Sequence, residues 1–166
     1  MRILRLLPVA LLGMLAVGCT DDDDGTIVVV PPEGGGSGSG QLPPTVIQWR
    51  ANITSNDPFL WSLFGTANVL MNQGEDAFTA SIDIRNDVAG SVRPWHVHFG
   101  TCATGGSIVG DDAAYPRLFM GSDGAAALAV TMRGVSLDPD APYHVNVHES
   151  DAQFNVLIAC GDLILQ

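Results

Sequence analysis

Lysine does not occur in this chain: its seven basic residues are all arginines, set against eighteen carboxylates, for a formal net charge of −11. A surface so short of positive charge repels phosphate backbones and anionic headgroups and attracts cations, which excludes nucleic acid as a partner. Cysteine is scarce too, present only as Cys19, Cys102 and Cys160, and histidine occurs four times. No segment shows the sustained 3.6-residue periodicity of a long amphipathic helix. No apolar run reaches the roughly 20 residues of a membrane-spanning helix.

One apolar run is nevertheless informative. Leu6–Gly18 follows the basic start Met1-Arg2-Ile3-Leu4-Arg5 and ends in Leu15-Ala16-Val17-Gly18-Cys19. A basic n-region and a short apolar h-region read as a secretory signal over residues 1–18. The closing motif resembles the lipobox of bacterial lipoprotein precursors, which implies that Cys19 is acylated and becomes the new N-terminus. A membrane partner through that lipid, and a place in the bacterial cell envelope, are the expectation. Thr20 follows Cys19 in place of the aspartate that retains lipoproteins at the inner membrane, so the expected site is the outer membrane, facing the periplasm. The mature chain would keep five arginines and all eighteen carboxylates, a net charge of −13.

Residues 19–44 read as a tether. They run through Asp21–Asp24, Pro31-Pro32, a Gly/Ser stretch over 34–40 and Pro43-Pro44, a composition that buries too little apolar surface to offset ordering entropy. Residues 45–166 form one domain by size. Apolar residues there recur with period two, as at Phe78, Ala80, Ile82 and Ile84, or Tyr143, Val145 and Val147, between turn signals such as Asn72-Gln73-Gly74 and Ser122-Asp123-Gly124. Period two marks half-buried strands. The expected fold is an all-β, antiparallel Greek-key sandwich or flattened barrel of about eight strands, near 45–54, 60–72, 76–86, 92–99, 116–120, 124–133, 142–148 and 154–165.

With Cys19 consumed by lipid, Cys102 and Cys160 remain in an oxidising compartment, where an even remainder fits one disulfide. Closing 58 residues, it would stabilise the domain by about 4 kcal/mol in the chain-entropy account.

All four histidines fall in two strands, as His96-Val97-His98 and His144-Val145-Asn146-Val147-His148. Even spacing places His96 with His98 on one face, and His144 with Asn146 and His148 on one face. Two imidazoles on one strand and a third from a neighbour make a metal-ligand set suited to copper or zinc. Trp95 and Tyr143 fall on the opposite faces and read as core. Asp111 and Asp112 read as solvated turn residues.

These stretches resemble copper/zinc superoxide dismutases. Trp95-His96-Val97-His98-Phe99-Gly100-Thr101-Cys102 is similar to that family's His-Val-His segment with its downstream cysteine. Val147-His148-Glu149 is similar to its Val-His-Glu segment, and Ile158-Ala159-Cys160-Gly161 to its Leu-Ala-Cys-Gly. The resemblance implies a dismutase-like fold, copper on His96, His98 and His148, and a Cys102–Cys160 bond. His144 is an additional candidate, either a fourth ligand or a rim residue.

The departures shape the expected function. Ala103–Met120 contains no histidine to bridge copper and zinc, the other zinc histidines are missing, and Leu157 stands where the family carries its active-site arginine. Zinc is therefore not expected, and neither is fast dismutation. Arg93 and Arg117 are the arginines available as substitutes. Tyr143-His144-Val145-Asn146-Val147-His148 also resembles a strand of CHRD domains, extracellular β-modules in which the histidines would be structural. Three classes follow: a slow copper dismutase, a copper-binding protein, or a metal-free binding module.

Replacing Cys19 with Ser should abolish palmitate incorporation during metabolic labelling and leave an unprocessed or released protein; labelling that survives the substitution would refute the lipid assignment.

Overall fold

A computed structural model describes residues 46–166. The signal segment 1–18, the lipidation site Cys19, the tether 19–44 and residue 45 lie outside the described residues. Among the described residues there are nine strands and one short 3-10 turn: β1 Val46–Ser55, β2 Phe64–Asn72, β3 Ala77–Arg85, β4 Val92–Arg93, β5 Trp95–Phe99, the turn Asp112–Ala114, β6 Leu118–Phe119, β7 Ala126–Arg133, β8 Tyr143–His148 and β9 Leu157–Leu165. The domain is all-β, with seven strands in one antiparallel curled sheet of order β5-β8-β9-β1-β2-β3-β7 and a small β4-β6 sheet. The hairpins β1-β2-β3 form one side. The chain then crosses to the opposite edge to lay down β5, returns to place β7 beside β3, and crosses again to β8, the linkage pattern of a Greek-key sandwich or flattened barrel.

Alternation drives these elements. In β3 every second residue is buried, Phe78, Ala80, Ile82 and Ile84, and the same inward rhythm places Trp49, Ala51 and Ile53 of β1 and Ala67, Val69 and Met71 of β2 in one core. Trp95, Val97, Tyr143, Val145 and Val147 join that core from β5 and β8. Trp95 and Tyr143 are thus core residues, as their parity requires. Buried aromatic polar atoms are matched: Trp95 Nε1 donates to the Pro116 carbonyl at 2.9 Å, and the Tyr143 hydroxyl accepts from the Asp138 amide at 2.9 Å.

The structure corrects three boundaries. The run expected over 92–99 is two strands, because Pro94 has no N–H to offer a ladder; its carbonyl instead accepts from the His148 amide at 2.9 Å. Residues 60–63 are not strand, since the Asp57 carbonyl draws in the Leu60 and Trp61 amides as a turn. Residues 154–156 likewise close a turn, with the Val156 amide donating to the Gln153 carbonyl at 2.9 Å.

A buried ion pair fixes the base of this end. The Arg93 guanidinium donates to both carboxylate oxygens of Asp87, at 2.7 and 2.9 Å, and to the Glu149 carbonyl, while stacking 5.2 Å over Trp61. Burial pushes the Asp87 carboxyl up, but the Arg93 guanidinium, the Val88 amide and the Ser91 hydroxyl together outweigh it and hold the group below its ordinary value. Arg93 is therefore a structural arginine, fully engaged by Asp87 and backbone.

Cys102 and Cys160 are joined by a disulfide. Cys102 sits at the start of the long segment between β5 and β6, and Cys160 lies in the middle of β9, so the bond fastens that segment to the sheet. Cys102→Ser and Cys160→Ser should each lower the unfolding free energy, by up to about 4 kcal/mol on loop-closure grounds. The double variant should be no worse than either single one, since one bond cannot be lost twice. Urea unfolding of the three variants measures this, and unchanged midpoints would refute it.

Candidate metal centre

β5 and β8 pair in a register that opposes His96 to Asn146, Val97 to Val145 and His98 to His144. Directly opposed residues share a face. His96, His98, His144, Asn146 and His148 therefore stand together on one face of two adjacent strands, and the apolar residues between them point into the core. The pairing of β8 with β9 extends the same face to Cys160, opposite Asn146, and Asp162, opposite His144. The histidines thus occupy the outer face of the curled sheet.

An outer face is ordinarily wet, yet this one is covered. His96 is 0 % exposed, His98 7 %, His144 1 % and His148 6 %. The cover comes from two connections. The segment after β5, stapled by Cys102–Cys160, brings the Gly106 carbonyl to His98 Nδ1 at 3.0 Å, Asp112 Oδ1 to His96 Nε2 at 2.7 Å, and the Tyr115 ring edge-on to His96 at 5.1 Å. The segment after β8 lays Phe154 flat on His148, 4.4 Å between ring centres. Close approach of the first segment requires glycine at 106, because a Cβ there would stand 2.0 Å from the Phe99 carbonyl oxygen.

These contacts settle which nitrogens are free. A carbonyl only accepts, so His98 carries its proton on Nδ1 and its lone pair on Nε2. The Asp112 carboxylate likewise draws the His96 proton to Nε2 and leaves Nδ1 bare. His96 Nδ1, His98 Nε2 and both nitrogens of His148 are buried without a hydrogen-bond partner. Buried polar atoms are rarely left so. Ligand atoms of these three histidines all lie within 4.8 Å of one another. Two nitrogens held at about 2.0 Å from one ion stand roughly 3.3 to 4 Å apart, so small side-chain rotations bring the three onto a common ion. Three neutral imidazoles, two of them (His96 and His98) with the opposite ring nitrogen anchored, are a donor set that can hold a metal ion, and that anchoring is the kind that raises ligand basicity and fixes ring orientation.

His144 lies beside this group rather than in it. Its ring stacks on His98 at 5.2 Å between centres, and its Nδ1 is also buried without a partner, as is Asn146 Oδ1.

Asp112 was expected as a solvated turn residue, and the structure corrects this. Its side chain is half exposed, but one carboxylate oxygen orients His96. The neighbouring Asp111 side chain caps the short turn by accepting from the Ala113 amide at 3.0 Å. No local pattern distinguishes the two aspartates; only the path of the stapled segment does. Of the two arginines considered near the site, Arg93 is spent on Asp87. Arg117 approaches: its guanidinium lies 3.8 Å from Asp112 and donates to Asp151 at 2.8 Å.

Compared with known proteins, the chain matches no protein-family model, and no curated protein matches it significantly.

Burial lowers the basicity of the three imidazoles. Desolvation pulls His96 down to about 4, against the partial support of the Asp112 carboxylate, and lowers His98 and His148 as well. All three are neutral at pH 7. The free-imidazole value near 6.5 is thus not where protons compete in the folded state; at His96 that competition moves down toward about 4. In the unfolded chain the same groups protonate near about 6.5, so between these values the unfolded state binds more protons. Stability of the metal-free domain is therefore full above about pH 6.5 and declines as pH falls toward 4, with His96 contributing on the order of 3 kcal/mol. Urea midpoints measured from pH 7 to 4 should fall along this course. His96→Gln should make the decline shallower, and an equal decline in that variant would contradict the assignment.

Proposed function

We propose that this chain is an exported, lipid-anchored protein of the bacterial envelope whose domain holds one copper ion through His96, His98 and His148, without zinc, and binds copper in preference to dismuting superoxide quickly. The observation that carries the reading is the convergence of three buried, neutral imidazoles whose ligand atoms lie within 4.8 Å of one another. An all-imidazole set suits copper or zinc and disfavours magnesium or calcium, which take oxygen ligands. The resemblance of the His-Val-His, Val-His-Glu and Ala-Cys-Gly segments to copper/zinc superoxide dismutases, together with the antiparallel fold and the Cys102–Cys160 bond, favours copper.

A bound copper ion would supply one-electron redox chemistry; the chain's own residues argue against rapid turnover of an anion. Leu157, where the resembling family places its arginine, lies opposite His148 in the β8-β9 ladder and offers no charge there. Arg93 is held by Asp87, and Arg117 is already engaged by Asp151 and lies close to Asp112. The strongly acidic chain repels superoxide over a longer range.

Calorimetric titration of the purified protein with cuprous and cupric ion tests the reading. His96→Ala, His98→Ala and His148→Ala should each remove most of the binding, His144→Ala should act more mildly, and deletion of residues 20–40 should leave affinity unchanged. Equal copper affinity in the wild type and the His96→Ala/His148→Ala double variant would overturn the proposal and leave the metal-free module that resembles CHRD domains.

A further inference from the structure

The segment between β8 and β9 contains a residue whose position the copper reading does not explain. Residues 151–156 are exposed except for Phe154. Phe154 is half-buried, yet it does not enter the hydrophobic core of the sandwich. It lies parallel to His148, 9° from coplanar orientation with 4.4 Å between centres, and tilted against His96 at 5.2 Å. Phe154 is thus packed on two of the three candidate ligands.

We propose that Phe154 is the specificity-determining wall of the metal position: it closes the approach between His96 and His148, so that small anions in solvent are kept from a bound ion and copper exchanges only when the segment 149–156 lifts. This rests on the copper reading above. The geometry suits a wall and not a competitor. A parallel ring covers the π face of His148, whereas the lone pair that binds a metal lies in the ring plane, so stacking leaves the unprotonated His148 nitrogen open to a metal. A benzene ring offers no donor and excludes water, which leaves an anion no hydrated path on that side.

The wall is held at two places. At its base the Glu149 amide donates to the Val156 carbonyl at 2.9 Å, closing the segment as a compact loop, and Arg93 grips the Glu149 carbonyl. Along its length Asp151 accepts from Arg117 Nε at 2.8 Å, and the same guanidinium lies 3.8 Å from Asp112, the carboxylate that orients His96. Arg117 therefore links the loop that carries the wall to the segment that carries the ligand's anchor. Both carboxylates are half or more exposed, so the latch is weak enough to open.

Two experiments on the full-length chain test this, one without metal. Diethyl pyrocarbonate acylates accessible neutral imidazoles, and peptide mapping reads each histidine separately. In metal-free Phe154→Ala, His96 and His148 should react about tenfold faster than in wild type, the scale set by losing part of one phenylalanine's burial, while His98 and His144 keep their wild-type rates. No increase, or an equal increase at all four, would overturn the wall. In copper-loaded protein, azide binding followed by visible absorption and copper removal by a chelator should both be enhanced in Phe154→Ala, with wild-type behaviour largely restored in Phe154→Leu, which keeps the bulk. If copper loads to one ion per chain and neither measure changes, the wall is refuted while the copper reading stands. If wild type takes up no copper, the copper reading fails, and the histidine reactivities alone decide whether Phe154 shields the cluster.

Discussion

The structure depends on one fastening: the disulfide from Cys102 to the middle of β9, which ties the segment after β5 across the outer face of the sheet. Without a cover, the histidine face of β5 and β8 would be the wet side of an ordinary amphipathic pair. With it, the Gly106 carbonyl, Asp112 and Tyr115 are brought onto His98 and His96. The same burial that desolvates the imidazoles keeps them neutral, and the same contacts that anchor one nitrogen of His96 and of His98 leave the other facing its neighbours. The capacity of the cluster to hold a cation, the neutrality of its imidazoles and their ring orientation are three consequences of one covered face.

Charge is arranged in two tiers. Deep in the fold, Arg93 and Asp87 form a bidentate pair that is 6 % and 2 % exposed at the side chains. Such a pair adds little net stability over an apolar replacement, but loss of one partner strands a buried charge at about 3–5 kcal/mol. Its location explains its use, because it joins the β3–β4 connection to the carbonyl directly after His148. Nearer the surface, Asp151, Arg117 and Asp112 form an open chain ending on His96. The two Arg117 links, to Asp151 and to Asp112, are solvent-screened and individually weak, which suits the movable boundary proposed above and would not suit a core.

The proposed copper site and the proposed wall divide the labour between strands and loops. β5 and β8 set the spacing of the ligands through their ladder, which is rigid because both strands are packed on the core from the other side. The connections set access and orientation. Loss of a strand residue such as Val97 or Val145 would disturb every ligand at once, whereas loss of Phe154 or Asp112 would alter one property of a site that remains in place.

Much of this was legible from residue spacing. Period-two apolar runs determined the strands, the inward set of β3 and the core placement of Trp95 and Tyr143, because a strand has no other way to present alternate residues. Even spacing likewise placed His96 with His98, and His144 with His148, and the cysteine count anticipated the disulfide. Local pattern failed where the deciding partner is distant. Pro94 split a strand whose apolar rhythm continues through it, Asp112 read as a solvated turn residue and Phe154 as the first residue of the last strand, because the imidazoles they touch lie 16 and 6 residues away on strands whose pairing neither segment can specify. The sequence by itself determined which residues share a face. Only the tertiary structure decided that this face is buried, which three of its four histidines converge, and which nitrogens are left without partners. Those properties belong to the register between strands and to the stapled segment that covers them, and neither is encoded in any single stretch of chain.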